Sequence, residues 1–236
     1  MMDALILMSR VPIPGKTKTR LMEILTGDEC AGIHQSFLLD LFHIFQFLKK
    51  DIHIFLTYTP ERSINKIEGF IPHFINCFPQ KGKSLGERMA NAFQHVFEQG
   101  YHKIILMGSD IPDIQPFDIR NAFEKLNDHD ICLGPTFDGG YYLIGMKSLY
   151  AQLFDDHLKW GNKSVFEGTV DIANSAGLKV GLAAKHRDID TKEDLIEFMK
   201  RVDKKEFKNK ILPRNTIEFI QNCWSDKYYA QRHIKG

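Results

Sequence analysis

The sequence predicts an α/β fold, a parallel sheet covered by helices. Short apolar runs end at loops rich in Gly, Pro or Asp, helical periodicities lie between them, and the strand-helix-strand rhythm repeats along the chain. At 236 residues the chain is long enough to bury a substantial core as one domain.

Residues 4–8 form a continuous apolar run that passes into Ser9, Arg10 and Pro12, which suits a buried strand delivering a loop to one sheet edge. The start, residues 1–8, carries Asp3 and lacks a basic leader and a small-residue cleavage site, so it reads as a strand rather than a signal peptide. Residues 28–49 carry apolar side chains at Ile33, Phe37, Leu41, Ile44 and Leu48, the spacing of a crossover helix, with Asp28 as its expected N-cap. Residues 51–58 read as a second strand, 84–99 as a helix, and 103–107 as a short, very apolar strand ending at Gly108. Residues 130–134 and 141–146 are strands flanking the turn residues Asp138, Gly139 and Gly140. A last strand is expected at 178–183 and a helix at 191–200. Beyond Val202 the composition shifts to a lysine-rich segment and an aromatic tail, so residues 1–202 are taken as the domain and 203–236 as an extension. Its Ile217 and Ile220 either pack back on the domain or serve a contact between copies.

Composition narrows the function. With 31 Lys and Arg against 30 Asp and Glu, no global charge draws the protein to nucleic acid or anionic lipid, and a small-molecule partner fits better. No apolar run approaches the length of a membrane span, which takes about 20 residues. Cys30, Cys77, Cys132 and Cys223 form neither a C-x-x-C pair nor a disulfide framework and read as thiols of a reducing compartment. The expected location is the cytoplasm.

Four segments carry candidate chemistry. The first is the loop from Ser9 through Arg10, Pro14, Gly15, Lys16, Lys18 and Thr19 to Arg20, placed directly after the first strand. Ligands of open α/β sheets bind at strand ends, and Lys and Arg supply charge and fork geometry to phosphate oxygens. Gly15-Lys16-Thr17 matches the end of a P-loop, but Arg10 stands where that motif needs its leading glycine, and two prolines remove backbone donors. The second is Gly108-Ser109-Asp110-Ile111-Pro112-Asp113. A carboxylate at the end of a buried strand is costly unless its charge is used, and a Mg²⁺ or Mn²⁺ ion bridging Asp110 to a diphosphate would use it. Asp113 reads instead as a cap for a helix starting near Pro116.

The third segment is Gly134-Pro135-Thr136-Phe137-Asp138-Gly139-Gly140-Tyr141-Tyr142. Its glycines allow close backbone approach to a ligand and Asp138 is placed to orient or deprotonate an acceptor hydroxyl, while a plain Asp-Gly hairpin turn reads equally well. The fourth runs from Asp188 to Leu195. Thr191 with Asp194 makes a capping box, which leaves Asp188 and Asp190 as a second acidic pair, with Asp190 preferred as a further metal ligand.

Together, in this order, these segments resemble a bacterial family of glycosyltransferase-like proteins with the nucleotide-diphospho-sugar transferase (type A) fold. That family includes arsenosugar-biosynthesis glycosyltransferases and radical-SAM/selenodomain-associated transferases. Leu85-Gly86-Glu87-Arg88-Met89 and Trp160 add to the match, which spans roughly the first 200 residues. The resemblance implies a Rossmann-like three-layer α/β/α sandwich with a mostly parallel sheet. It places Gly86 and Arg88 near the nucleotide, Lys18 and Arg20 near its phosphates, a divalent metal on Asp110, and Gly139, Gly140 and Trp160 near the sugar or acceptor. One departure is Phe137, where the family often has an acidic residue. The expected activity is metal-dependent transfer of a glycosyl group from a nucleotide sugar to a small acceptor. Two alternatives stand beside it: nucleotidyl transfer with release of pyrophosphate, as in 2-phospholactate guanylyltransferases, and nucleotide binding without catalysis.

Overall fold

The computed structural model describes residues 3–154 and 165–232. Seven strands form one sheet in the order β3-β2-β1-β4-β6-β5-β7, where β1 is Asp3–Arg10, β2 Ile52–Thr59, β3 Ile75–Pro79, β4 Ile104–Gly108, β5 Ile131–Pro135, β6 Tyr141–Met146 and β7 Val180–Leu182. All neighbours pair in parallel except β6, which runs antiparallel to both β4 and β5. The expected three-layer sandwich with a mostly parallel sheet is thus present.

The layers follow from the period-2 alternation of strands. On β1, Leu5 and Leu7 face a core shared with Leu38, Leu41 and Phe45 of helix α1 (Gly27–Phe45) and with Ile119, Ala122 and Phe123 of α3 (Pro116–Asp128). Ala4 and Ile6 face the opposite core, against Met89, Phe93 and Val96 of α2 (Leu85–Phe97) and Ala173 of α4 (Val165–Ser175). All four β1 side chains are fully buried. At about 1.5–3 kcal/mol for each large aliphatic side chain buried, this two-sided burial is what makes the central strands read as unbroken apolar runs.

A third core covers the outer face of α1. Cys30, Ile33 and Phe37 pack there against Leu195, Phe198 and Met199 of α5 (Lys192–Asp203), Phe207, and Ile220 of α6 (Arg214–Arg232). The terminal helix therefore folds back on the sandwich, and the packing continues past residue 202. Buried Asp40 on α1 receives the first backbone N–H groups of α6, from Asn215 at 3.0 Å and Thr216 at 2.8 Å, as an N-cap side chain would.

Two expected caps fall elsewhere. Thr26, not Asp28, caps α1, because Glu29 lies three residues on and closes a capping box: Glu29 N donates to Thr26 Oγ1 and Thr26 N to Glu29 Oε2. Asp113 does not cap α3; Gln115 holds that position, and Asp113 is buried against Arg201 at 2.7 Å. The capping box of Thr191 and Asp194 at the start of α5 forms as expected.

Candidate nucleotide and metal site

The C-terminal ends of β1 and β4 open side by side, since β1 pairs with β4 from Ala4 and Ile104 to Met8 and Gly108. Above them lies a cavity of about 700 Å³. Its wall includes Ser9, Arg10, Lys18, Arg20, Arg88, Asp110, Asp138, Gly140 and Asp190, so most of the sequence-predicted residues come together. Gly15, Gly86 and Gly139 stand off the wall. Gly15 turns the basic loop at φ +69° and abuts Gly27, where a Cβ would sit 3.0 Å from the Gly15 nitrogen. Gly86 is buried in the first turn of α2. Gly139, at φ +94°, supplies the left-handed residue that the β5–β6 hairpin requires. Trp160 lies outside the described residues.

Lys18 is the pivot. Its side chain is only 4% exposed, and its ammonium donates to Asp110 at 2.6 Å, Asp190 at 2.8 Å and the Ile189 carbonyl at 2.7 Å. Burial alone would lower its pKa; the two carboxylates outweigh that and raise it. Its three donors are thereby used within the protein, which leaves the other cations of the cavity as the ones available to a ligand. Arg10, Lys83 and Arg88 line the same cavity without a carboxylate partner among the described residues. Arg10 Nη1 donates to the Lys16 carbonyl at 3.2 Å and Arg88 Nε to the Gly82 carbonyl at 3.0 Å, contacts that aim the guanidinium groups and leave further donors. Arg20 is two-thirds exposed and 3.9 Å from Asp190.

Beneath the ion pairs lies a buried polar cluster that the sequence did not signal. His34 on α1 meets Thr17 of the basic loop through Nδ1, and Ser9 of β1 and Ser109 after β4 through Nε2, each serine at 3.1 Å. Ser9 Oγ is also 3.2 Å from Ser109 Oγ. Burial, and then the charge of Lys18, pushes the His34 pKa down to about 3, so the ring is neutral and serves as donor through one nitrogen and acceptor through the other. A histidine among Ile33, Phe37 and Leu41 reads from sequence as part of an apolar helix face. Only the juxtaposition of three distant segments shows its role.

Four carboxylates also line the cavity: Asp110, Asp138, Asp188 and Asp190. Burial would raise the Asp138 pKa, but hydrogen bonds from Thr136 Oγ1 and Gly140 N to its Oδ1 outweigh burial and hold it below the usual carboxylate range. That anion is suited to orienting a ligand. Asp188 is pushed up to about 6, first by burial and then by the charges of Asp138 and Asp190. No group of three or more His, Cys, Asp or Glu is arranged for a metal among the described residues, so an all-protein cage is absent. Asp110 and Asp190 each give one oxygen to Lys18. Two partly exposed carboxylates are of the hard-oxygen type that would suit Mg²⁺ or Mn²⁺ held jointly with phosphate oxygens and water.

The chain has relatives in family and in fold. Residues 45–162 match the sequence profile of a family described as uncharacterized protein conserved in bacteria (DUF2064). A solved protein of Desulfovibrio desulfuricans G20, provisionally assigned as a nucleotide-diphospho-sugar transferase, is 30% identical, with 98% of each chain covered and a TM-score of 0.86. The 4-diphosphocytidyl-2C-methyl-D-erythritol synthase of Anaerococcus prevotii DSM 20548 is 11% identical over 86% of this chain and 96% of its own, with a TM-score of 0.56. A cytidylyltransferase of Leptospira borgpetersenii is 16% identical over 94% of both chains, with a TM-score of 0.51. These last two show a shared fold. No curated protein matches the sequence.

Proposed function

The chain belongs to the DUF2064 family of bacterial proteins, and from that premise we propose that it is a transferase moving a glycosyl group from a nucleotide-activated sugar to a small acceptor. One observation carries the reading: a single cavity joins cations after β1 and on α2, which meet no carboxylate among the described residues, to the four carboxylates Asp110, Asp138, Asp188 and Asp190. A donor diphosphate would lie against Arg10 and Arg88, whose fixed donors suit phosphate oxygens. Asp110 with Asp190 would hold Mg²⁺ or Mn²⁺, which supplies charge neutralisation at the diphosphate when bound. Lys18, bridging both carboxylates, fixes their positions, and Asp138 orients the acceptor hydroxyl from the β5–β6 hairpin.

A second reading, nucleotidyl transfer, is favoured by the number of cations free of carboxylates, since Arg10, Lys83 and Arg88 also suit a triphosphate. Product analysis separates the two. Incubation with Mg²⁺, a sugar nucleotide and a pool of small hydroxylated acceptors is expected to release nucleoside diphosphate. Pyrophosphate released from a nucleoside triphosphate, with sugar nucleotides left intact, would replace glycosyl by nucleotidyl transfer.

A further inference from the structure

The segments that wall the nucleotide cavity also build a second site behind it. Thr136 bridges His186, which lays residues 136–138 beside 186–188. Asp138 and Asp188 face the nucleotide cavity, whereas Phe137, Lys185 and Arg187 face a separate cavity of about 850 Å³. Phe137 is 56% exposed at its mouth. Lys185 Nζ stands 4.5 Å and Arg187 Cζ 4.8 Å from the centre of that one ring.

Gathering two cations on one ring costs mutual repulsion, which cation–π attraction offsets only in part. Carboxylates do not complete the balance. Asp113 and Glu206 are taken by Arg201 at 2.7 and 3.5 Å, Glu197 is met by Lys200 at 3.6 Å, and Asp118 accepts from the Gln115 backbone N–H at 3.0 Å. Arg187 reaches Asp194 only at 3.8 Å, and Lys185 meets no carboxylate among the described residues. The cavity therefore presents a pair of under-neutralised cations fixed on an exposed aromatic ring. We propose that it is an anion site, taking the carboxylate or phosphate of a small organic acid between Lys185 and Arg187 with its carbon skeleton against Phe137. The site rests on these three side chains and stands whatever group the nucleotide cavity transfers.

Fluorine NMR of 4-fluorobenzoate and 4-fluorophenyl phosphate, titrated with the full chain, tests it, with neutral 4-fluorobenzyl alcohol as the uncharged control. Both anions are expected to bind and the alcohol not to; the stronger of the two identifies the preferred head group. The pair Lys185→Glu/Arg187→Glu should weaken binding roughly tenfold or more, the size of a lost charge-assisted hydrogen bond. Lys185→Gln, a milder change, should weaken it in the same direction if the double variant fails to fold. Lys66→Glu, an exposed lysine that lines neither cavity, should leave the affinity unchanged. Absence of binding by the wild type, binding that survives the Lys185 and Arg187 changes, equal binding of the alcohol, or loss in Lys66→Glu would each overturn the proposal.

Discussion

Lys18 adopts φ 49° and ψ 40°, the left-handed region that a side-chain-bearing residue enters at a cost of about 1–2 kcal/mol. The buried ion pairs to Asp110 and Asp190 offset that cost and fix the loop. Replacing Lys18 by Met keeps the bulk and leaves two carboxylates facing each other. Because both are partly exposed, water screens them, and the expected loss is about 1–3 kcal/mol, read from urea denaturation. His34 makes a pH prediction. Its folded pKa, about 3, lies below the ordinary histidine value of about 6.5, so below pH 6.5 the unfolded chain binds a proton that the folded chain refuses. Stability from this group is complete above pH 6.5 and is lost as pH falls toward 3, at up to about 1.4 kcal/mol per unit. His34→Gln should be less stable at pH 7.5 yet show a shallower acid slope than the wild type. Parallel slopes in paired denaturation series would contradict the assignment.

At the scale of elements, α6 is held by contacts remote in sequence. Asp40 caps it across more than 170 residues, and Gly32 leaves room for Phe219, since a Cβ there would lie 2.5 Å from the ring. Asp40→Ala removes three hydrogen bonds to Asn215 and Thr216 and should cost about 1–3 kcal/mol. Gly32→Ala forces Phe219 aside at a similar cost of about 1–3 kcal/mol, and limited proteolysis should then cut ahead of α6. This non-local support explains what the sequence left hidden. Strands β1, β2, β4, β5 and β6 and helices α1, α2, α3 and α5 show their own apolar runs, periods or caps. Strand β3 was missed because it is a five-residue edge strand with a single buried side chain, Ile75. Helix α6 was missed because its cap lies on α1. The candidate site divides likewise: charged loop residues were legible, since exposed Arg and strand-end Asp have few other uses. The His34 cluster and the saturation of Lys18 depend on which distant segments meet.

At the scale of the whole molecule, the sheet brings β1 and β4 together so that a cationic loop and a carboxylate cluster share one cavity. The β5–β6 hairpin adds Asp138 from a third segment. Among the described residues no helix is long and apolar enough to cross a membrane. Under the proposed function, binding and metal use are interdependent: the cations would hold phosphates, and Asp110 with Asp190 would engage them only through an ion. Asp110→Ala should therefore abolish the metal-dependent part of nucleotide binding while leaving a weaker, salt-sensitive part carried by Arg10 and Arg88.

The most direct measurement is thermal unfolding of the wild type and Asp110→Ala against sugar nucleotides and nucleoside triphosphates, each with and without Mg²⁺ or Mn²⁺. A ligand at about one hundred times its Kd stabilises the folded state by about 2.7 kcal/mol, a rise of roughly 5–10 °C for a chain of this size. The account predicts such a rise for at least one sugar nucleotide, larger with metal, with the metal increment gone in Asp110→Ala. No shift with any nucleotide, or an increment that survives in Asp110→Ala, would contradict it.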